Sequence, residues 1–204
     1  MTRPERHRTT IVPYDSSWPA AFETMAAALL GCSRGHLRSI EHIGSTAVPG
    51  LAAKPVLDLL GELSVDHLEG ERELADDIAS LGFACRSGEF TDRFLFSRSK
   101  AGLLTHNLHV VPSGTISTRN EVLFRDRLRH DAAARDAYAA FKYELAETSY
   151  PDPHGYSRAK SNFVFSVVSE ERDRLQLPPW DIWKTLGAKR KAGWVADGSR
   201  PPSP

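Results

Sequence analysis

An α/β fold, one mixed β-sheet flanked by helices with further helices at its C-terminal end, is what this 204-residue sequence predicts. Three observations carry the prediction. An apolar run from Lys54 to Leu60 suits a buried strand. A stretch with Leu68, Leu74, Ile78 and Leu81 at helical spacing follows it. Three strand-like runs, at 83–86, 93–98 and 105–111, come next and give way to helical sequence. A helix that joins strands places both in one layered unit, not in separate all-α and all-β parts.

In chain order, residues 1–10 are basic and polar and are expected to form a flexible lead; no apolar run follows that would suit a signal peptide or membrane span. Asp15, Ser16 and Ser17 offer N-caps to a first helix with Pro19 in its first turn. That helix runs to about Leu30, is expected to bury Phe22, Met25, Ala26, Leu29 and Leu30 on one side, and ends at Gly31. Ser64 or Asp66 is expected to cap the second helix, and Gly82 to stop it. The strands at 93–98 and 105–111 join through a hairpin turn at 99–102. On the last strand Asn107 and His109 share one face, His106 and Leu108 the other.

Thr118 and Glu121 have the spacing of a capping box, which sets a helix start at Arg119 and carries Val122, Leu123 and Leu128 inward. Asp131 caps an alanine-rich helix over 132–147, in which Tyr138, Phe141 and Leu145 face the protein and Lys142 either reaches a ligand or covers the flank. A turn-rich linker at 150–155 leads to a helix over 156–175, with Tyr156 and Lys160 one turn apart on one face. From residue 177 the chain changes to prolines around Trp180, a basic cluster at 184–191, Trp194 and a Pro/Ser end. This reads as an appendage over 177–204, its tryptophans suited to a neighbouring surface or to a second subunit in a homodimer.

Composition narrows the function. The 26 basic and 26 acidic side chains balance, so no global field draws the chain to nucleic acid or acidic membranes, and the scattered arginines form no basic stripe. Cys32 and Cys85 lie far apart without metal-ligand spacing, as expected for reduced thiols in a cytoplasmic protein.

The chemistry concentrates between Glu41 and Gly61. Gly44 allows a sharp turn or a close approach of backbone, and Ser45 and Thr46 add two hydroxyls and two backbone N–H groups. Such a cluster suits the terminal phosphates of a nucleotide; a plain turn that starts a helix is the other reading. Asp58 then stands alone in an aliphatic strand, where an uncompensated carboxylate costs roughly 2–7 kcal/mol or more. A divalent cation such as Mg²⁺ would compensate it, and so would an ion pair with Lys54 or an arginine.

The segment HIGSTAVPGLAAKP at 42–55, followed by the strand that holds Asp58, resembles the signature of the GrpB (UPF0157) family. Tyr14-Asp15 with Trp18-Pro19, the strand at 106–110, the run at 123–129, Tyr138 with Lys142, and Tyr156 with Lys160 extend the resemblance over about residues 10–170. That family is assigned to the nucleotidyltransferase superfamily, marked by a Gly-Ser pair and then two carboxylates at i and i+2 on one strand. Here twelve residues separate Ser45 from Asp58, and the second carboxylate's place holds Leu60. The resemblance implies a nucleotidyltransferase-like domain over 11–176. It also implies a metal-dependent transfer of a nucleoside monophosphate from an NTP to a small-molecule acceptor. A non-catalytic nucleotide- or CoA-related accessory domain is the alternative, because the family resembles a domain joined to dephospho-CoA kinase in some bacteria.

Residue roles follow from the sequence and the resemblance together. Asp58 and His109 are expected to be catalytic and to hold Mg²⁺ or Mn²⁺, His109 taking the place where the superfamily commonly sets a third carboxylate. A histidine in a strand is otherwise hydrogen-bonded structure, or, when neutral, a general base. Gly44, Ser45, Thr46, Lys54, Arg93, Arg125, Tyr156 and Lys160 are expected to bind the nucleotide. For Arg93 an ion pair with Asp92, Glu89 or Asp58 is the competing role.

Overall fold

The computed structural model describes residues 8–150, 152, 154–187 and 190–191. Residues 1–7 of the expected flexible lead at 1–10, Trp194 and the Pro/Ser end lie outside the described residues. A sheet of five strands is built from β1 (Leu37–Ile43), β2 (Leu57–Leu63), β3 (Phe83–Cys85), β4 (Phe94–Lys100) and β5 (Leu103–Val111), in the order β1-β2-β5-β4-β3. β2 and β5 pair in parallel at the centre, and the other pairs are antiparallel.

Alternation along the strands sorts the two faces. Leu57, Leu59 and Leu63 of β2 and Leu108 and Val110 of β5 meet Phe22, Ala26 and Leu29 of α1 (Trp18–Cys32) and Leu74 and Ile78 of α2 (Glu71–Ile78) in the main core. The opposite face carries Asp58, Leu60, Asn107 and His109, because side chains two apart point the same way. Over it lie α3 (Asn120–His130), α4 (Ala132–Glu147), α5 (Gly155–Ala159) and α6 (Ser161–Arg174). Two smaller clusters seal this side, Leu60 with Val111 and Val122, and Leu51 with Leu128 and Tyr138. A short α7 (Ile182–Thr185) follows.

Several boundaries differ from the sequence expectation. α1 continues through Gly31 to Cys32, because the left-handed turn that stops it falls at Arg34 and Gly35. α2 starts at Glu71, not near Ser64 or Asp66. Ser64 is committed elsewhere, its backbone N–H donating to His36 O and its hydroxyl to Gly35 O, while Asp66 pairs with His67. The capping box does not form: Thr118 sits in a 3-10 turn with its hydroxyl on Thr115 O, α3 begins at Asn120, and Glu121 goes to arginines. Asp131 does cap α4, accepting from Ala134 N at 3.0 Å. The expected helix over 156–175 is divided at Lys160 into α5 and α6; Lys160 keeps right-handed angles, and its ammonium lies 4.8 Å from the Tyr156 ring centroid.

Candidate functional site

Asp58 is the pivot. It pairs with Ile43 on β1 and with Asn107 on β5. Asn107 Nδ2 donates to Asp58 Oδ1 at 2.9 Å, and Asn107 Oδ1 accepts from Ser97 Oγ at 3.0 Å, so two neighbouring strands fix the carboxylate's rotation. Leaving β1, the chain turns at Gly44 with φ 71° and ψ −173°, a conformation essentially confined to glycine. A Cβ there would lie on Asp58 Oδ2 and only 2.9 Å from Asp58 Cβ. Glycine therefore lets the turn's backbone rest on the carboxylate. Burial pushes the Asp58 carboxyl up, against the pull of Asn107 and of the Lys160 and Lys54 ammonium groups.

Two cavities open on this group. One, of about 210 Å³, is lined by Gly44, Ser45, Asp58, His109, Glu121 and Lys160 among others. The second, of about 170 Å³, is lined by Ser45, Lys54, Asp58, Lys142, Tyr156 and Lys160. They share Ser45, Asp58 and Lys160, so one carboxylate separates two lobes of one depression. Three lysines converge on the second lobe. Burial, then the charge of Lys160, pushes the Lys142 amine down to about 7. Lys54 is lowered for the same two reasons, with Asp58 opposing. Lys142 also donates to Ala52 O and lies 4.7 Å from the Tyr138 ring centroid; Lys160 lies 4.8 Å from that of Tyr156. The Tyr156 hydroxyl is buried without a partner among the described residues, and burial raises its pKa to about 12. Amines short of counter-charge are what a polyanion meets with least desolvation cost.

The other expected residues lie as follows. His109 stands opposite Leu60, one step up the sheet from Asn107. Burial, then the Arg93 guanidinium, pushes its imidazole down to about 3. Burial thus favours the neutral imidazole. Arg93 turns from Asp58 to Asp92 at 2.9 Å and to Glu121; burial works against its charge, but these two carboxylates raise its pKa. Arg125 is buried, bonded to Glu41 at 2.7 Å, His42 O at 2.9 Å and Asp126 at 2.7 Å, and lines neither cavity. Thr46 is inside the turn, its hydroxyl 3.0 Å from His42 Nε2, and stabilises the loop from within. Arg93, Arg125 and Thr46 thus build the frame, while Gly44, Ser45, Lys54, Asp58, His109, Tyr156 and Lys160 line the depression.

A metal ion has little prepared for it. Among the described residues no group of three or more His, Cys, Asp or Glu side chains is placed to hold one. Asp58 offers one carboxylate with Oδ1 already bonded, and the guanidiniums that depress His109 would repel a dication beside it. The side chains present do not make a metal centre by themselves.

Sequence reading missed Asn107 as the carboxylate's partner, Glu121 as a wall of the site and Tyr138 behind Ser45. It left Lys142 undecided. A lysine one turn after a buried tyrosine, on the apolar side of α4, is the signal that could have found it.

The chain matches the GrpB protein family model over residues 8–170. It belongs to the GrpB family. A UPF0157 protein of Halalkalibacterium halodurans is 33% identical over 166 residues, 81% of this chain and 84% of that protein. The dephospho-CoA kinase of Mycolicibacterium paratuberculosis is 33% identical over 176 residues, 74% of this chain but 42% of the kinase. The crystal structure of the conserved protein GrpB from Enterococcus faecalis superposes with a TM-score of 0.69 at 26% identity, over 82% of this chain and 99% of that one. Among the described residues no helix is long and apolar enough to cross a membrane.

Proposed function

We propose that this GrpB-family chain is a nucleotidyltransferase that moves a nucleoside monophosphate from an NTP to a small-molecule acceptor in the cytoplasm. One observation carries the reading: a carboxylate fixed by two strands lies under a Gly-Ser turn, with the ammonium groups of Lys54, Lys142 and Lys160 converging on the lobe beside it. Anionic phosphates satisfy those amines, and Ser45 and the backbone at Gly44 add donors.

In the proposed reaction an acceptor hydroxyl oxygen attacks the α-phosphorus, the bond to the β-phosphate oxygen breaks, pyrophosphate leaves and the hydroxyl proton passes to water. Lys54 and Lys160 hold the leaving phosphates, and Lys142, once protonated, adds a third charge; positioning and fixed charge do most of the work. Among the described residues, Asp58 is the one protein carboxylate of the depression's floor that would be available to Mg²⁺ or Mn²⁺, which the side chains alone would not hold. A cation brought in with the nucleotide would neutralise phosphate charge. His109, neutral, serves as a hydrogen-bonding wall.

The test is pyrophosphate release from each NTP with Mg²⁺ or Mn²⁺ and a set of small hydroxyl acceptors. Asp58→Asn is expected to abolish release and to weaken metal-dependent nucleotide binding; unchanged release in this variant removes the proposal. A second reading, a ligand-binding domain without turnover, is favoured by Leu60 in place of a second carboxylate and by the likeness to part of a dephospho-CoA kinase. Under it nucleotide or CoA raises the melting temperature, and no acceptor yields pyrophosphate.

A further inference from the structure

The lobe that meets only Lys160 of the three lysines has a chemistry of its own. Its outer wall is Trp180, from the segment beyond the family-matched residues. Trp180 stacks on Phe165 of α6 with ring centroids 5.5 Å apart, and Arg172 ties its neighbourhood to α3, donating to Pro178 O at 2.6 Å and to Asn120 Oδ1 at 2.8 Å. Behind it the segment is anchored by Ile182 and Leu186 against Phe90, a bridge between Phe90 and Leu186, and Arg190 on Glu89. The indole is thus held in place across the site.

Two residues of this lobe, Trp180 and His109, carry buried polar atoms, Nε1 and Nδ1, with no partner among the described residues, and Glu121 Oε2 makes no hydrogen bond there, its ion pair with Arg119 Nε being long at 3.9 Å. Buried polar atoms left without hydrogen bonds are costly, and a cluster of them beside one cavity points to a ligand that satisfies them. The set mixes one donor, one carboxylate acceptor and one neutral imidazole. A cation is disfavoured because the nearby carboxylates are already paired, Glu121 with Arg93 and Arg119, and Glu89 with Arg190. An anion is disfavoured by the ionised Glu121, which burial alone would raise but which Arg93 and Arg119 hold down at about 2. What remains is a neutral compound whose hydroxyls both donate and accept, with a carbon face for the indole and the Phe124 ring.

We infer that this lobe is the acceptor subsite, that it takes a neutral polyhydroxy compound, and that Trp180 sets its specificity. This rests on the nucleotidyl-transfer reading above. Trp180 is a positioning and selecting residue. It lies outside the family-matched segment, so acceptor choice in this chain is set by a part the family model does not describe.

The test is saturation-transfer difference NMR on the full chain with three probes of one ring size: cis-cyclohexane-1,2-diol, cyclohexylammonium and cyclohexanecarboxylate. The diol is expected to give the strongest signal, reduced about threefold to tenfold by Trp180→Ala and about threefold by Glu121→Gln, which leaves Arg93 its bond to Asp92. Trp180→Phe keeps a ring and removes the N–H, and reports the same loss in part if the alanine variant is misfolded by circular dichroism. Equal signals from the charged probes, or a diol signal untouched in Trp180→Phe and Glu121→Gln, overturn the inference. Mg-ATP is then added. Persistence of the diol signal supports an acceptor lobe. Displacement by Mg-ATP but not by its 2′,3′-dideoxy analogue assigns the lobe to the nucleotide's own ribose and overturns it. The signal of Mg-ATP itself reports separately on nucleotide binding: its absence removes the nucleotidyl reading and the acceptor role, whereas its presence beside a silent diol removes this inference alone.

Discussion

Lys142 is a charge held where water barely reaches it. Its amine titrates at about 7 instead of 10.5, so between those values the unfolded chain binds more protons than the folded one. Stability contributed at this position therefore rises with pH across that window, readable in urea midpoints once other groups are held constant by comparison with Lys142→Met. Binding runs the opposite way. Below pH 7 the ammonium is present to meet an anion, and above it the site is one charge poorer. Sulfate, whose own charge is constant here, is expected to bind about tenfold more weakly at pH 8.5 than at pH 6. Lys142→Met should flatten that profile at its weaker end. A profile unchanged in the variant would detach Lys142 from anion binding. Glu121 shows the converse sign: held down at about 2, it stabilises above its ordinary range near 4.5, and that share is lost as pH falls toward 2.

At the scale of elements, turns decide what the strands can present. The hairpin between β4 and β5 pairs Lys100 with Leu103, leaving Ala101 and Gly102 both at positive φ, 50° and 77°. Two such residues make the turn that matches strand twist, but the alanine carries a Cβ in the left-handed region. Ala101 is exposed. Ala101→Gly is expected to raise stability by about 1 kcal/mol, seen as a melting temperature higher by about 2–4 °C. The turn at Gly44 is the opposite case. Gly44→Ala puts a methyl onto Asp58 and strains the backbone, and is expected to cost about 1–3 kcal/mol and to disrupt nucleotide binding with it. A Gly44→Ala protein with unchanged urea midpoint would show that the turn can move off the carboxylate. The Gly-Ser turn and the Asp58 strand were legible because glycine and a stranded carboxylate are local anomalies. Arg93 was not, since whether it meets Asp58 or Glu121 depends on where α3 lands.

For the whole molecule, the sheet is a partition: α1 and α2 close one face with the main apolar core, and the other face, under α3 to α6, sets the polar groups of the site between two smaller apolar clusters. The segment from Leu177 crosses this second face and is tied to the loop before β4 by Thr91 N–H to Thr185 O at 3.1 Å and Gly187 N–H to Glu89 O at 2.9 Å. A chain ending at Gln176 is expected to keep its far-ultraviolet circular dichroism, because the main core does not use the segment, and to melt a few degrees lower as Phe90 and Phe165 lose their cover. Loss of all cooperative unfolding on truncation would show the segment to be part of the core. Helix stripes, strand alternation and the i to i+4 pairing of Tyr156 with Lys160 needed only local periodicity, which backbone geometry fixes within one turn or one pleat. By itself the sequence therefore determined the layered fold, the glycine turn and the solitary aspartate. Only the tertiary structure decided that Asn107 holds that aspartate, that three lysines gather beside it, and that Arg93 pairs with Glu121 and Arg125 with Glu41. It also decided that Trp180 walls the cavity, for these contacts join residues tens of positions apart, and their partners are chosen by packing and charge between elements.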